Sequence, residues 1–135
     1  MAKESGITLS VTVDDSGGPT ARNISNDMGS VDWGTPRNTQ DVTGLDKSAM
    51  ERLLLLADAT VTLNGYFNDA ANLSHAVFKT IPSTSVQRTV TIAVSGQSLG
   101  GEHWLTDYAL TRTETGELTW TVPGVLANGT VPTWS

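Results

Sequence analysis

No cysteine occurs in the 135 residues of this chain, which removes disulfide frameworks and thiolate metal sites and suits synthesis in a reducing cytosol. Charge is scarce too: 16% of residues are Asp, Glu, Lys or Arg, and 14 acidic residues against 8 basic ones give a net charge of -6. A surface of that sign repels phosphate, so binding of a duplex backbone through Lys and Arg is disfavoured. No apolar run approaches the roughly 20 residues that cross a bilayer, so no membrane partner is expected. Met1 to Ser5 leads towards a strand rather than into the apolar core of a signal peptide, and the expectation is a chain without a leader. Histidine is limited to His75 and His103, which lie far apart and share no metal-ligand spacing. Glu102 beside His103 would point to the opposite face of a strand, which argues against an acid-base pair. No cofactor, no metal and no enzymatic activity are therefore expected.

What is present is a globular composition, 38% apolar with 13 glycines and abundant Thr and Ser, long enough for one domain over residues 1–135 with its own core. Ile7, Leu9, Val11 and Val13 alternate with polar residues as in a strand with one buried face, and Asp14 to Pro19 reads as a turn. Ile24 fits a short strand or bulge, Val31 and Trp33 another strand, and Thr35 to Asp41 an exposed loop without period. Val61, Leu63 and Phe67 mark a clear strand. Asn68 or Asp69 is placed to cap a short helix carrying Leu73, Ala76 and Val77, ended by Pro82. Three strands follow: Val86 to Val94, one with Trp104, Tyr108 and Leu110 on one side, and one through Leu118, Trp120 and Val122. Gly96 to Gly101 reads as a loose turn, Thr115-Gly116 as a tight one, and about 124–135 as an extended C-terminal tail. The sum is a mainly β (α+β) antiparallel sandwich or partly closed barrel with one or two short helices. The polar faces of its strands carry Thr, Ser, Gln and Asn rather than Lys and Glu, as they would if they lined a barrel or met another subunit. Plain strand propensity accounts for the same residues.

Several patterns invite a chemical reading. Gly96-Gln97-Ser98-Leu99-Gly100 matches G-x-S-x-G, but a nucleophile elbow needs a strand-turn-helix context, whereas the flanks here read as strands. Asp14-Asp15-Ser16-Gly17-Gly18 lacks the alternating oxygens and distal Glu of a calcium loop. Trp104 and Trp120 share the parity of apolar neighbours and are expected in the core, leaving Trp33 and Trp134 open to other roles.

The middle of the chain organises the rest. Ser48 and Glu51 have capping-box spacing, and Met50, Leu53, Leu54 and Ala57 would share one helical face, so a helix from Asp46 or Ser48 is expected; a leucine run passing directly into an extended segment is the alternative. A helix apolar on more than one side would be covered either by its own core or by a neighbouring subunit. The Asp41-Val42-Thr43-Gly44 turn, the apolar approach and the strand Thr60-Val61-Thr62-Leu63-Asn64-Gly65-Tyr66-Phe67 together resemble the middle of the major tail (tail tube) proteins of long-tailed bacteriophages. The resemblance extends to Leu9 through Asp15, Ser30 through Trp33 and Ala76 through Phe78.

This resemblance implies a structural virion protein that self-assembles into stacked hexameric rings, the conduit for DNA ejection, in a phage tail built in the host bacterial cytoplasm. Its implied partners are further copies of itself and tail proteins such as the tape measure, tail tip and terminator. DNA would pass without specific binding. Within that frame Asp41, Val42, Thr43, Gly44 and Leu45 are expected to stack rings, and Asp14, Asp27 and Asp32 to line the lumen. A non-catalytic ligand-binding sandwich, either carbohydrate-binding or capsid-decorating, is the alternative reading.

Overall fold

Alternation of apolar and polar residues builds the sheet wherever it is strict. The computed structural model describes residues 3, 5–17 and 19–135; Met1, Ala2, Glu4 and Gly18 of the expected turn lie outside them. Strand β1 (Ser10–Asp14) buries Val11 and Val13 and leaves Ser10, Thr12 and Asp14 on its other face. Ile7 does not join it: Ser5 accepts a hydrogen bond from the Ile7 amide, capping a 3-10 turn over Gly6–Thr8 that leaves Ile7 exposed. Next come β2 (Ala21–Asn23), a 3-10 turn over Ser25–Asp27, β3 (Met28–Gly34), β4 (Arg37–Asp41), β5 (Arg52–Ala57) and β6 (Thr60–Tyr66). A five-residue helix α1 (Ser74–Phe78) precedes β7 (Arg88–Val94), β8 (Gln97–Leu105), β9 (Ala109–Arg112) and β10 (Leu118–Leu126).

Eight strands form one antiparallel sheet in the order β2-β1-β7-β8-β10-β6-β3, with β9 also on β10, while β4 and β5 pair only with each other. β10 is the pivot. Thr119 to Val125 pair with β6, but its other edge serves β9 over Leu118 to Thr121 and β8 over Gly124 to Leu126. Pro123, which has no amide hydrogen, sits where that edge changes partner. The sheet curls so that one face encloses a core of Val11, Val13, Val61, Leu63, Val90, Ile92, Leu99, Trp120 and Val122, plugged by Val77 and Phe78 of α1. In β6 the inward series Val61, Leu63 ends on Gly65, where a Cβ would stand 2.6 Å from Trp120 Cζ2. The indole fills that space instead and donates Nε1–H to the Tyr66 carbonyl at 2.7 Å.

Four local expectations are corrected. The leucine run is strand, not helix: Glu51 gives its amide to Thr43 Oγ1 at 2.9 Å and its carbonyl to the Val42 amide at 3.0 Å, so the supposed N-terminal turn is spent on antiparallel pairing. Thr35 to Asp41 is not all loop, because Arg37–Asp41 is the partner strand β4. Gly96 to Gly101 is not a loose turn. Ser95 and Gly96 take φ of 53° and 79°, the two left-handed positions of a two-residue hairpin turn, and β8 begins directly after them. Starting β8 there reverses the expected parity of Trp104, which faces outward and is 38% exposed while His103 points into the core. Trp120 is buried.

The C-terminal segment is fixed rather than free. Gly124 to Leu126 complete β10, and further on Trp134 bridges to Leu99 while Ser98 and Ser135 exchange amide-carbonyl hydrogen bonds of 2.9 Å in both directions. Among the described residues, no helix is long and apolar enough to cross a membrane.

Candidate functional site

The β4–β5 hairpin projects from the sheet between β3 and β6, its neck closed by the Asp58 amide on the Pro36 carbonyl at 2.9 Å. Successive strand residues point to opposite faces, so the consecutive leucines 53 to 56 give both faces of this ribbon apolar character. All four are exposed, Leu56 to 92%, and Met50, Val42 and Leu45 join them. Exposed apolar residues gathered on one ribbon in this way are uncommon on a monomeric protein. Two residues, Leu55 and Leu56, oppose Asn38 in a β-bulge, and Arg37 Nε donates to the Leu55 carbonyl at 2.9 Å. The bulge thus leaves that carbonyl satisfied while the leucines stay outside.

The expected stacking residues Asp41, Val42, Thr43, Gly44 and Leu45 form the outer part of this hairpin. Asp41 Oδ1 accepts from the Thr43 amide at 2.9 Å and from Thr43 Oγ1 at 2.6 Å, which holds its carboxyl below the usual carboxylate range. Val42 and Leu45 project beyond this framework into solvent.

The three acids expected to line a lumen lie apart. Asp32 is exposed on the outer face of β3, opposite Thr62. On that face Asn64 accepts from Thr121 Oγ1 at 2.8 Å and donates to Ser30 Oγ at 3.3 Å, so an uncharged polar ladder ties β3, β6 and β10 together. Asp14 lies on the outer face of β1, where its Oδ2 accepts from the Thr89 amide at 3.3 Å and Thr89 Oγ1 in turn bonds the Glu102 carboxylate. Asp27 departs from the expectation: it is 3% exposed and turned inward. Its Oδ2 accepts from the Ser74 amide at 3.0 Å and its Oδ1 from Asn68 Nδ2 at 2.9 Å. Asp27 is therefore the cap of α1, a place the sequence suggested for Asn68 or Asp69; the N-cap residue itself, Leu73, supplies no side-chain bond.

An apolar cleft of about 300 Å³ opens between α1 and β9, lined by His75, Lys79, Ile81, Pro82, Tyr108 and Leu110 among others. His75 Nδ1 lies 3.2 Å from the Tyr108 hydroxyl, and Tyr108 and Trp120 both pack on Phe78, with centroids 5.6 and 5.0 Å away. Burial pushes the Tyr108 hydroxyl pKa up, with the Asp27 charge adding to it. No sequence period marked this cleft, because it joins segments brought together only by the fold.

Among the described residues, the catalytic patterns of the sequence are not brought together. Ser98 of the G-x-S-x-G pattern lies within β8, paired with Ala93, and its hydroxyl is 3.0 Å from that of Ser135. His103 is buried, donates Nδ1–H to the Gly101 carbonyl at 2.8 Å, and stands edge-on to Trp33 at 5.1 Å. Among the described residues, no three His, Asp or Glu side chains stand together as a metal would require.

No family model matches the sequence, and no curated protein does. Solved structures do match in fold, over nearly the whole of both chains. A chain from the virion of a native gene transfer agent particle superposes with a TM-score of 0.75 at 16% identity, covering 98% of this chain and 99% of that one. A chain from the tail of an empty gene transfer agent particle, refined helically with C6 symmetry, gives 0.73 at 18% identity and coverages of 98% and 99%. A chain from the structure of the sheath/tube terminator of an extracellular contractile injection system in its extended state gives 0.74 at 10% identity, covering 100% and 98%. The fold is thus one used by components of virus-like tails and contractile injection systems, in keeping with the tail tube resemblance of the sequence.

Proposed function

We propose that this chain is a structural tail protein, a tube subunit that assembles into hexameric rings stacked as the conduit for DNA ejection. The observation that carries the proposal is the β4–β5 hairpin, apolar on both faces and uncovered in the single chain, on a fold shared end to end with a chain of a C6-symmetric tail. Such a hairpin is covered when copies of the chain assemble, and Asp41, Val42, Thr43, Gly44 and Leu45 at its outer part then stack one ring on the next. The exposed edges of β2 and β3, each paired on one side only, join between neighbours to close the ring.

Asp14 and Asp32 line the lumen in this reading; Asp27 is withdrawn because its carboxylate is committed to α1. Excess carboxylate along a channel repels phosphate over a Debye length of ~8 Å, so DNA slides without adhering. Tape measure, tail tip and terminator proteins are the further partners, and the virion tail, built in the host cytoplasm, is the site of action. Sedimentation velocity across a concentration series, with and without preformed tails as initiators, tests self-assembly. Growth of large species that deplete the free chain is expected; a species that stays monomeric in both conditions would remove the proposal.

A further inference from the structure

The hairpin and the α1–β9 cleft lie at opposite ends of β6. The hairpin returns to the sheet at Thr60, where β6 begins, and α1 follows from Asn68, just past its end at Tyr66. Six residue steps at ~3.3 Å put roughly 20 Å between the two ends. None of the hairpin leucines of a chain lines its own cleft.

The two surfaces are complementary. The hairpin offers a ridge of leucines; the cleft is a gap in the wall of the core, with Ile81 and Tyr108 packed on the buried cluster at its floor and Leu110, 46% exposed, at its lip. Charges of both signs border both surfaces, with Asp41, Asp46, Glu51, Lys47 and Arg52 on the hairpin and Lys79 and Asp107 at the cleft, so pairs of opposite sign can form across a contact.

We propose that the α1–β9 cleft is the receptor for the hairpin of a second copy, with the leucines of β5 entering beside Tyr108 and Leu110. This rests on the self-assembly reading above and specifies the contact. Because donor and receptor are different patches at opposite ends of β6, the contact is heterologous: each copy that receives a hairpin still offers one. A heterologous contact whose rotation does not close a ring propagates, as a tube requires, and a tail could grow by one repeated event. A cleft left open at the final ring would be the place for a terminating protein to bind.

The absence of cysteine makes the test direct. Two populations, Leu56→Cys and Leu110→Cys, are mixed, assembled and treated with a short bis-maleimide, and cross-linked pairs are mapped by mass spectrometry. Linkage of position 56 in one population to position 110 in the other, appearing with assembly and absent from the dilute chain, is the expected result. Tubes that form without that linkage overturn the cleft as receptor and leave self-assembly standing. Failure of the unsubstituted chain to assemble at all overturns both. A second comparison uses Leu110→Asp against Thr111→Asp, its neighbour on the opposite face of β9. The first is expected to keep the circular dichroism of the parent while raising the concentration needed for assembly at least tenfold, and the second to change it little; equal effects would contradict a role for the cleft.

Discussion

Asp27 shows how a single side chain can hold two distant parts of the chain together. Its carboxylate, set after β2, satisfies the first free amide of α1, 47 residues further on. The Ser74 amide is buried, so removing its acceptor leaves a donor without water or partner. Asp27→Ala is expected to cost about 1–3 kcal/mol in urea unfolding; a loss below a few tenths would mean that α1 is capped in another way. His103 supplies a pH dependence. Burial holds its pKa below the ordinary histidine value, outweighing the Gly101 carbonyl and the nearby Glu102 and Asp58 charges. The unfolded chain then takes up a proton that the folded chain refuses, so stability is full above about pH 6.5 and declines as pH falls below it. The carboxyls of Asp15 and Asp41, also held low, lose their contribution only as pH falls below their ordinary value of 3.8, so the two windows are separate. The urea midpoint of the parent should fall between pH 7 and 5.5, and His103→Gln should flatten that slope; an unchanged slope would assign it elsewhere.

Among the elements, the β4–β5 hairpin is where stability and the proposed assembly can be told apart. Its leucines contribute little to the single chain because they are already in water, and exposed substitutions usually change stability by no more than about 0.5 kcal/mol. Leu54→Ser with Leu56→Ser should leave the unfolding midpoint of the monomer nearly unchanged yet abolish large species in sedimentation. Loss of monomer stability instead would place those leucines in a core. This hairpin is also where the sequence was least legible. Strands β1, β6, β7 and β10 could be read directly, because one face of each meets the core and the alternation records it. The leucine run has no buried side in its own chain, so no alternation of apolar and polar residues records its strand. Ser48 and Glu51 then suggested a helix by spacing alone, while Thr43 claimed the Glu51 amide from across the hairpin. Trp104 was misplaced for a smaller reason: the Ser95-Gly96 turn is two residues long, and moving the start of β8 by a few positions exchanged its faces. The role of Asp27 was illegible in principle, since it depends on a contact between segments far apart in the chain. The turn at Asp41 to Gly44, by contrast, was legible because Asx and Thr side chains bond their own neighbourhood.

On the scale of the whole molecule, the net charge of -6 and the uncharged Thr, Ser and Asn faces support the proposed channel, since such a surface would pass a polyanion without retaining it. Asp14→Lys combined with Asp32→Lys exchanges two negative charges for two positive ones per copy, with both positions on outer faces of the sheet. Tubes of this variant should form at concentrations close to those of the parent, while particles built from it should release DNA more slowly, measured by dye uptake of ejected DNA, with the deficit shrinking at high salt. Equal release would remove the electrostatic role of these two acids without touching the architecture. Electron microscopy of the purified chain incubated with preformed tails tests most directly whether the exposed hairpin assembles copies of the chain. Tubes with a central channel and sixfold cross-section, extended from the tails and absent when the hairpin leucines are replaced by serine, are the expected result. A chain that remains monomeric beside intact tails, or tubes that form equally well without the leucines, would contradict it.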